Sequence, residues 1–340
     1  MFPVLIKLLT QWRLFDSPGS HKIHSAYKPS IGGLAILFGA SIALLLGLSF
    51  AELTLYKYFF ISLLLMALIG LRDDALALTP TQKLFSQFLP VMLLVFFNRT
   101  TLNSSYGLLA LPEIPEIVIW IISVFTIIIL TNAYNLIDGL DGLAGTVGMI
   151  CLVTFGLWFY GVEHRVASLI SFTFAGAILA FLIFNWEPSK IFMGDTGALM
   201  IGFLLSYLAI LFINTNYNLT EGHPYKMSSS IGSAICVVII PVFDTLRVII
   251  LRIRQGLSPF HADRNHLHHQ FIKLGLSHSK AVLIMASINI VMIVFAWTLR
   301  KQNDLLILGV VIVLCLIINF ILRYAQQRTP NANGTENKID

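Results

Sequence analysis

Ten apolar runs, each near the length of a membrane-crossing helix, dominate this sequence and leave few folds open to it. They cover approximately residues 31–50, 54–71, 84–98, 116–134, 142–161, 166–184, 197–213, 230–250, 281–299 and 305–322. About 20 apolar residues in a helix match the hydrocarbon core of a bilayer. Inside lipid every backbone N–H and C=O must find an internal partner, which selects helices for segments of this length. The chain is 57% hydrophobic and 11% charged, against about a quarter charged in an ordinary soluble domain. A soluble fold of 340 residues has no interior large enough for so much apolar side chain. The expectation is an all-α, polytopic membrane protein of about ten transmembrane helices, with the lipid bilayer as its solvent. One integral domain over 1–325 is expected, followed by a disordered polar tail over 326–340.

The charges orient these spans. On the face that carries the N-terminus, Lys and Arg number four in residues 1–30, two in 72–83, one in 185–196, five in 251–280 and three in the tail, 15 in all. The opposite face has six: Lys57, Arg99, Arg165, Lys226, Arg300 and Lys301. Positive residues mark the cytoplasmic side, so both termini are expected inside. The net charge of +5 is scattered among loops rather than gathered in a patch, which points away from nucleic acid. Asp73, Asp74, Asp138, Asp141, Asp195 and Asp263 all fall on the expected cytoplasmic face or at a span end there. Such a gathering predicts an active site built from cytoplasmic loops.

Five segments converge on that face. Arg72-Asp73-Asp74 leaves the second run, and two adjacent carboxylates at a membrane boundary need a compensating cation. Asn135, Asp138 and Asp141 recur every three residues in NAYNLIDGLDG, so helical geometry would stack them on one side. Helix capping by Asx residues is the plainer alternative there. Asp195, between Gly194 and Gly197 in IFMGDTG, offers a hard oxygen ligand with room for a phosphate, and it is also a candidate helix N-cap. The run Ser258 to His269, SPFHADRNHLHH, has five His or Arg in twelve residues. It suits a pyrophosphate clamp, with a zinc site as the alternative. Lys22, with His21 and His24, leads into the first run and reads as further cations or as a membrane anchor. Asp244 and Arg247, inside the eighth run, have the spacing of an internal ion pair.

At these residues the chain closely resembles the polyprenyl-phosphate N-acetylhexosamine-1-phosphate transferases of glycosyltransferase family 4. Within them it is most similar to the bacterial branch that loads N-acetylglucosamine 1-phosphate onto undecaprenyl phosphate. The similarity spans about residues 16–280, and NAYNLIDGLDGLAG, IFMGDTG and SPFHADRNHLHH are its specific motifs. The resemblance implies a multi-pass enzyme of the bacterial plasma membrane. It would take a UDP-N-acetylhexosamine and undecaprenyl phosphate, use Mg²⁺ (or Mn²⁺ in its place), and start a cell-surface polysaccharide such as the lipopolysaccharide O-antigen. A homodimer is expected. The resemblance also implies roles. Asp195 would be the principal metal ligand, with Asn135 nearby. Asp73 and Asp74 match an essential acidic pair, and His266 joins Asp73, Asp74 and Asp195 as a catalytic candidate. Asn185, Phe192, Asp138 and Asp141 match positions of the uridine pocket. Arg264, His268, His269 and Lys22 would meet phosphate.

Two departures stand out. Ala77 occupies the place of a third acid three residues after the pair, and close relatives carry a further span ahead of the His-Lys-rich segment. Three alternatives remain open in the sequence. GalNAc, FucNAc or QuiNAc could replace GlcNAc as the sugar. A transporter would need polar residues through the midplane, where only Asp244, Arg247 and a few Asn or Ser are found. A scaffold without chemistry would leave the aspartates as an unexplained electrostatic cost.

Overall fold

A computed structural model of the chain describes residues 29–30, 32–104, 106, 114–259 and 265–328. Every regular element among them is helical. In chain order these are α1 (Gly32–Gly47), α2 (Phe50–Leu55), α3 (Lys57–Ala75), α4 (Pro80–Met92) with a π-helical continuation Leu93–Phe97, and α5 (Glu116–Leu136). There follow α6 (Leu143–Gly161), α7 (Arg165–Asn185), α8 (Gly194–Asn218), α9 (Ser230–Val237) and α10 (Ile239–Arg254). The last three are α11 (Leu267–Lys273), α12 (His278–Thr298) and α13 (Asp304–Arg328).

All ten expected runs are helical, but fewer than ten meet the demands of a span. Among the described residues six helices are long and apolar enough to cross a membrane: α5, α6, α7, α8, α12 and α13. The pair α9 and α10, bent by 87°, makes a seventh if it counts as one broken span. The other three fall short for separate reasons. α1 has only 16 residues. α3 carries Lys57 at one end and Arg72, Asp73 and Asp74 at the other. α4 contains Pro90 in its interior; its ring removes a backbone donor and crowds the preceding turn. The ladder resumes with the wider π spacing at Leu93. α13 runs on to Arg328, and 329–340 lie outside the described residues, as do 1–28.

The bundle is organised around α8. Its apolar residues point in every direction, and nearly all are buried, from Ala198 through Ile213. A helix that is hydrophobic all round must be enclosed. It packs against α1, α3, α5, α6 and α9. Outer helices show the reverse. Leu316, Phe320 and Ile321 on α13 and Leu283 and Val291 on α12 stay exposed, as expected of surfaces that face lipid. Enclosing α8 fixes where its first turn lies, at the end of the bundle shared with the last turns of α3 and α5.

Candidate active site

The first N–H groups of any helix lack intrahelical partners. In α8 they find Asp74, at the end of α3. Its carboxylate accepts the Asp195 amide at 2.8 Å, the Thr196 amide at 2.9 Å and the Thr196 hydroxyl at 2.6 Å. Negative charge there also complements the helix dipole. Asp195 is therefore not the cap. It sits in the first turn, and the cap comes from another helix. Gly194 makes the approach feasible. Its φ is +73°, and a Cβ would lie 2.6 Å from the Ser30 carbonyl and 2.8 Å from an Asp74 oxygen. Burial pushes the Asp74 carboxyl up to about 6, against the lowering effect of the Thr196 and Asp195 hydrogen bonds.

The cation that the acidic pair demands is Lys83, which the sequence reading missed. Its ammonium lies 2.8 Å from Asp73, contacts Asp195 and is 3.2 Å from the Asn135 amide oxygen. Asn135 donates in turn to the same Asp195 oxygen at 2.8 Å. Burial works against the charge of Lys83, but Asp195 and Asp73 outweigh it and raise its pKa. The local sequence puts the residue there. Thr79 and Gln82 form a capping box with Pro80 at the first helical position. Lys83 is then one turn into α4. A lone lysine behind Thr-Pro-Thr-Gln at the start of an apolar run was the available signal.

Three oxygens, from Asp73, Asn135 and Asp195, thus converge on one cationic point. Among the described residues no three His, Cys, Asp or Glu side chains group as a metal site. A hard divalent ion that keeps water and phosphate among its ligands needs no more than this oxygen set. Asp195 and Asn135 are the residues that could hold such an ion, and Lys83 marks where the site accepts positive charge.

The segment after α5 is a turn, which corrects the expected helical stack of Asn135, Asp138 and Asp141. α5 ends at Leu136, and the amides of Ile137 and Asp138 bond back to Tyr134 and Asn135. The two glycines of IDGLDG leave the chain free to turn away. Asp138 is part-buried, and enclosure together with Asp195, Asp74 and Asp141 holds its carboxyl well above the usual range. Asn185 braces this turn. Its oxygen accepts the Gly142 amide and its nitrogen donates to the Ile191 carbonyl, each at 2.9 Å. Asp141 accepts the Ser189 amide at 3.2 Å. Asn185 and Asp141 are buried cross-braces here, whereas Phe192 is half-buried, with its backbone paired to Pro29 and Gly32.

The histidine run is anchored from α10. Asp244, fully buried, accepts the Leu267 amide at 2.7 Å and lies 2.8 Å from His266 Nδ1. The expected Asp244–Arg247 pair is present at 4.0 Å. Arg247 also donates to the Asn265 carbonyl. Two residues beyond His266, the His268 ring packs against Gly139, where a Cβ would lie 2.5 Å from its Nε2. Burial, with His269 beside it, lowers the His268 pKa to about 3. Its buried Nδ1 has no hydrogen-bond partner among the described residues. His269 lies next to it, with ring centroids 4.2 Å apart. Lys22, Asp263 and Arg264 lie outside the described residues.

Four of the five expected segments therefore meet at one end of the bundle, in the order of a recognisable plan. Residues 56–213 match the glycosyl transferase family 4 profile. A Pasteurella multocida protein named undecaprenyl-phosphate alpha-N-acetylglucosaminyl 1-phosphate transferase is 32% identical over 278 residues, 80% of this chain and 75% of the relative.

The chain belongs to glycosyl transferase family 4.

Two further relatives extend that agreement. A Bacillus subtilis protein, named as a probable undecaprenyl-phosphate N-acetylglucosaminyl 1-phosphate transferase, is 29% identical over 94% of this chain and 86% of its own length. A Haemophilus influenzae protein with the Pasteurella name is 29% identical over 85% of this chain and 80% of its own length. This family 4 member is an enzyme, a phosphotransferase. The matched region holds Asp73, Asp74, Lys83, Asn135 and Asp195 together, and leaves the His266–His269 segment beyond its end.

Proposed function

We propose that this protein transfers N-acetylglucosamine 1-phosphate from UDP-N-acetylglucosamine to undecaprenyl phosphate, releasing UMP, at the cytoplasmic face of a bacterial plasma membrane. One observation carries the reading: Asp73, Asn135 and Asp195 gather around Lys83 at the same bundle end as the His266–His269 segment. Oxygens able to hold a divalent ion, with a lysine and hydrogen-bonding imidazoles beside them, suit two mutually repelling phosphates. The names of the relatives support the sugar and the acceptor, and the excess of Lys and Arg on that face supports the orientation.

An oxygen of the lipid phosphate attacks the sugar-bearing phosphorus of the donor. The new P–O bond forms in line as the bond to UMP breaks. A phosphate monoester has its second pKa near 6 and is largely dianionic at neutral pH, so no side chain needs to deprotonate it. Mg²⁺ held by Asp195 and Asn135 would supply positive charge against the diphosphate. Lys83 would add further neutralisation, and the rings of His268 and His269 offer hydrogen bonds to phosphate oxygens. A covalent aspartyl phosphate is disfavoured by the engagement of both acids: Asp74 accepts three hydrogen bonds, and Asp73 accepts the Leu78 amide at 2.7 Å and pairs with Lys83. This arrangement holds the acids as fixtures rather than nucleophiles.

Purified protein given undecaprenyl phosphate, Mg²⁺ and a panel of UDP-sugars tests the reading by UMP release. UDP-N-acetylglucosamine is expected to be turned over fastest, and chelation should stop it. Absence of UMP release from that donor would overturn the proposal. Exchange of labelled UMP into the donor without lipid would overturn the direct displacement.

A further inference from the structure

The 87° bend between α9 and α10 opens a wedge in the outer wall of the bundle. At the far end α13 is pinned to α9: Asp304 accepts the Gly232 amide at 2.6 Å and the Ser229 hydroxyl at 2.8 Å. Past the bend α10 turns away, and a cavity of about 390 Å³ lies between it and α13. Val242, Leu246 and Ile250 line one wall, and Leu308, Val311 and Cys315 the other. Both stripes repeat every three or four residues, so each is a single helix face.

Each stripe ends in an arginine. Arg254 closes the α10 wall and Arg323 the α13 wall, while Arg247 lines the wedge two turns higher. Arg254 and Arg323 are exposed. Their end of the bundle is the site end, since Gln326 donates to Gln270 of α11 at 2.6 Å. Apolar walls closed at one end by guanidinium groups match an amphiphile with an anionic head.

We propose that the wedge between α10 and α13 binds an anionic diacyl phospholipid, its tail along the apolar walls and its phosphate between Arg254 and Arg323. The acceptor lipid is a poorer match. No residue of α3, α5 or α8 lines the wedge, and Asp244 points from the opposite face of α10 toward His266. A second copy of the chain is disfavoured by charge, because a two-fold contact here would set arginines against arginines. A bound phospholipid braces α10 from behind. That helix holds the histidine segment through Asp244 and through Arg247, which donates to the Asn265 carbonyl. The proposal concerns a binding site and stands whichever sugar is transferred.

Native mass spectrometry of the full-length protein in detergent, with dioleoyl-phosphatidylglycerol or dioleoyl-phosphatidylcholine added, reads occupancy without turnover. One phosphatidylglycerol is expected to be retained per chain and phosphatidylcholine to be lost. R254Q/R323Q should weaken retention about thirtyfold, roughly 2 kcal/mol at 1.4 kcal/mol per tenfold. C315W fills the wedge with both arginines intact and should displace the lipid; it decides the matter alone if the double variant does not fold. Equal retention of the two lipids, unchanged binding by the variants, or one-for-one replacement of phosphatidylglycerol by undecaprenyl phosphate would each overturn the proposal.

Discussion

Asp74 takes both hydrogens that Thr196 offers, the amide at 2.9 Å and the hydroxyl at 2.6 Å, and so caps α8 from the end of α3. Two segments 122 residues apart in sequence are locked together at the first turn of the most buried helix. Replacing Asp74 by Ala orphans three donors, each worth about 1–3 kcal/mol when left unmet. D74A is expected to lower the thermal unfolding midpoint strongly and to abolish turnover, whereas D74N, which keeps an acceptor oxygen, recovers part of the stability but not the charge. Unfolding followed by tryptophan fluorescence in detergent checks this ordering.

Lys83 neutralises Asp73 and Asp195 at once. K83M leaves two carboxylates without their cation. Removing one partner of a buried pair costs about 3–5 kcal/mol, and about 2 kcal/mol is expected here because the Asp195 side chain is 32% exposed. The double variant D73N/K83M removes one of the unpaired charges and should regain stability without regaining activity. A double-mutant cycle on the unfolding midpoint, with UMP release measured in parallel, separates these effects.

Gly139 lies against the His268 ring, and any side chain there meets Nε2. G139A is expected to displace the histidine rather than unfold the bundle, since the residue itself lies on an exposed turn. Stability should change by about 1 kcal/mol, while turnover falls by about tenfold or more with the far-ultraviolet spectrum unchanged. Comparable activity in wild type and G139A would remove His268 from the site.

The depressed pKa of His268 has a definite sign in stability. The ring titrates near 3 when folded against 6.5 when free. Between those values the unfolded chain binds a proton that the native chain refuses, so stability rises with pH. This contribution is fully present above about 6.5 and is lost as pH falls toward about 3. H268Q, which cannot titrate, should show a shallower loss of unfolding temperature on acidification than wild type.

Asp244 holds the histidine segment through the Leu267 amide and His266. D244A leaves that amide unpaired and frees the segment from α10. A loss of about 2 kcal/mol is expected, with turnover reduced more than donor binding, as read from kcat and KM for UMP release.

Much of the plan is legible in the residues. Ten apolar runs announce an all-helical membrane protein, because lipid leaves the backbone no other partners, and each run is helical here. The motifs around Asp73, Asn135, Asp195 and His268 are legible too, since unpaired charge and glycine at a membrane boundary have few uses other than chemistry. Their mutual arrangement is not. Period-three spacing suggested a helix through Asp138 and Asp141, yet hydrogen bonding within the Tyr134–Asp138 turn ends it at Leu136.

What the sequence determined by itself is the solvent and the class of fold, which follow from local composition and periodicity, and the segments from which the candidate site is drawn. Tertiary structure alone decided that Lys83 is the partner of Asp73 and Asp195, that Asp74 caps another helix, and that Asn185 and Asp141 brace a turn. It also decided that α10 bends by 87° from α9. These are contacts between residues far apart in the chain. Their energy depends on which helices pack around α8, and no local pattern records that packing.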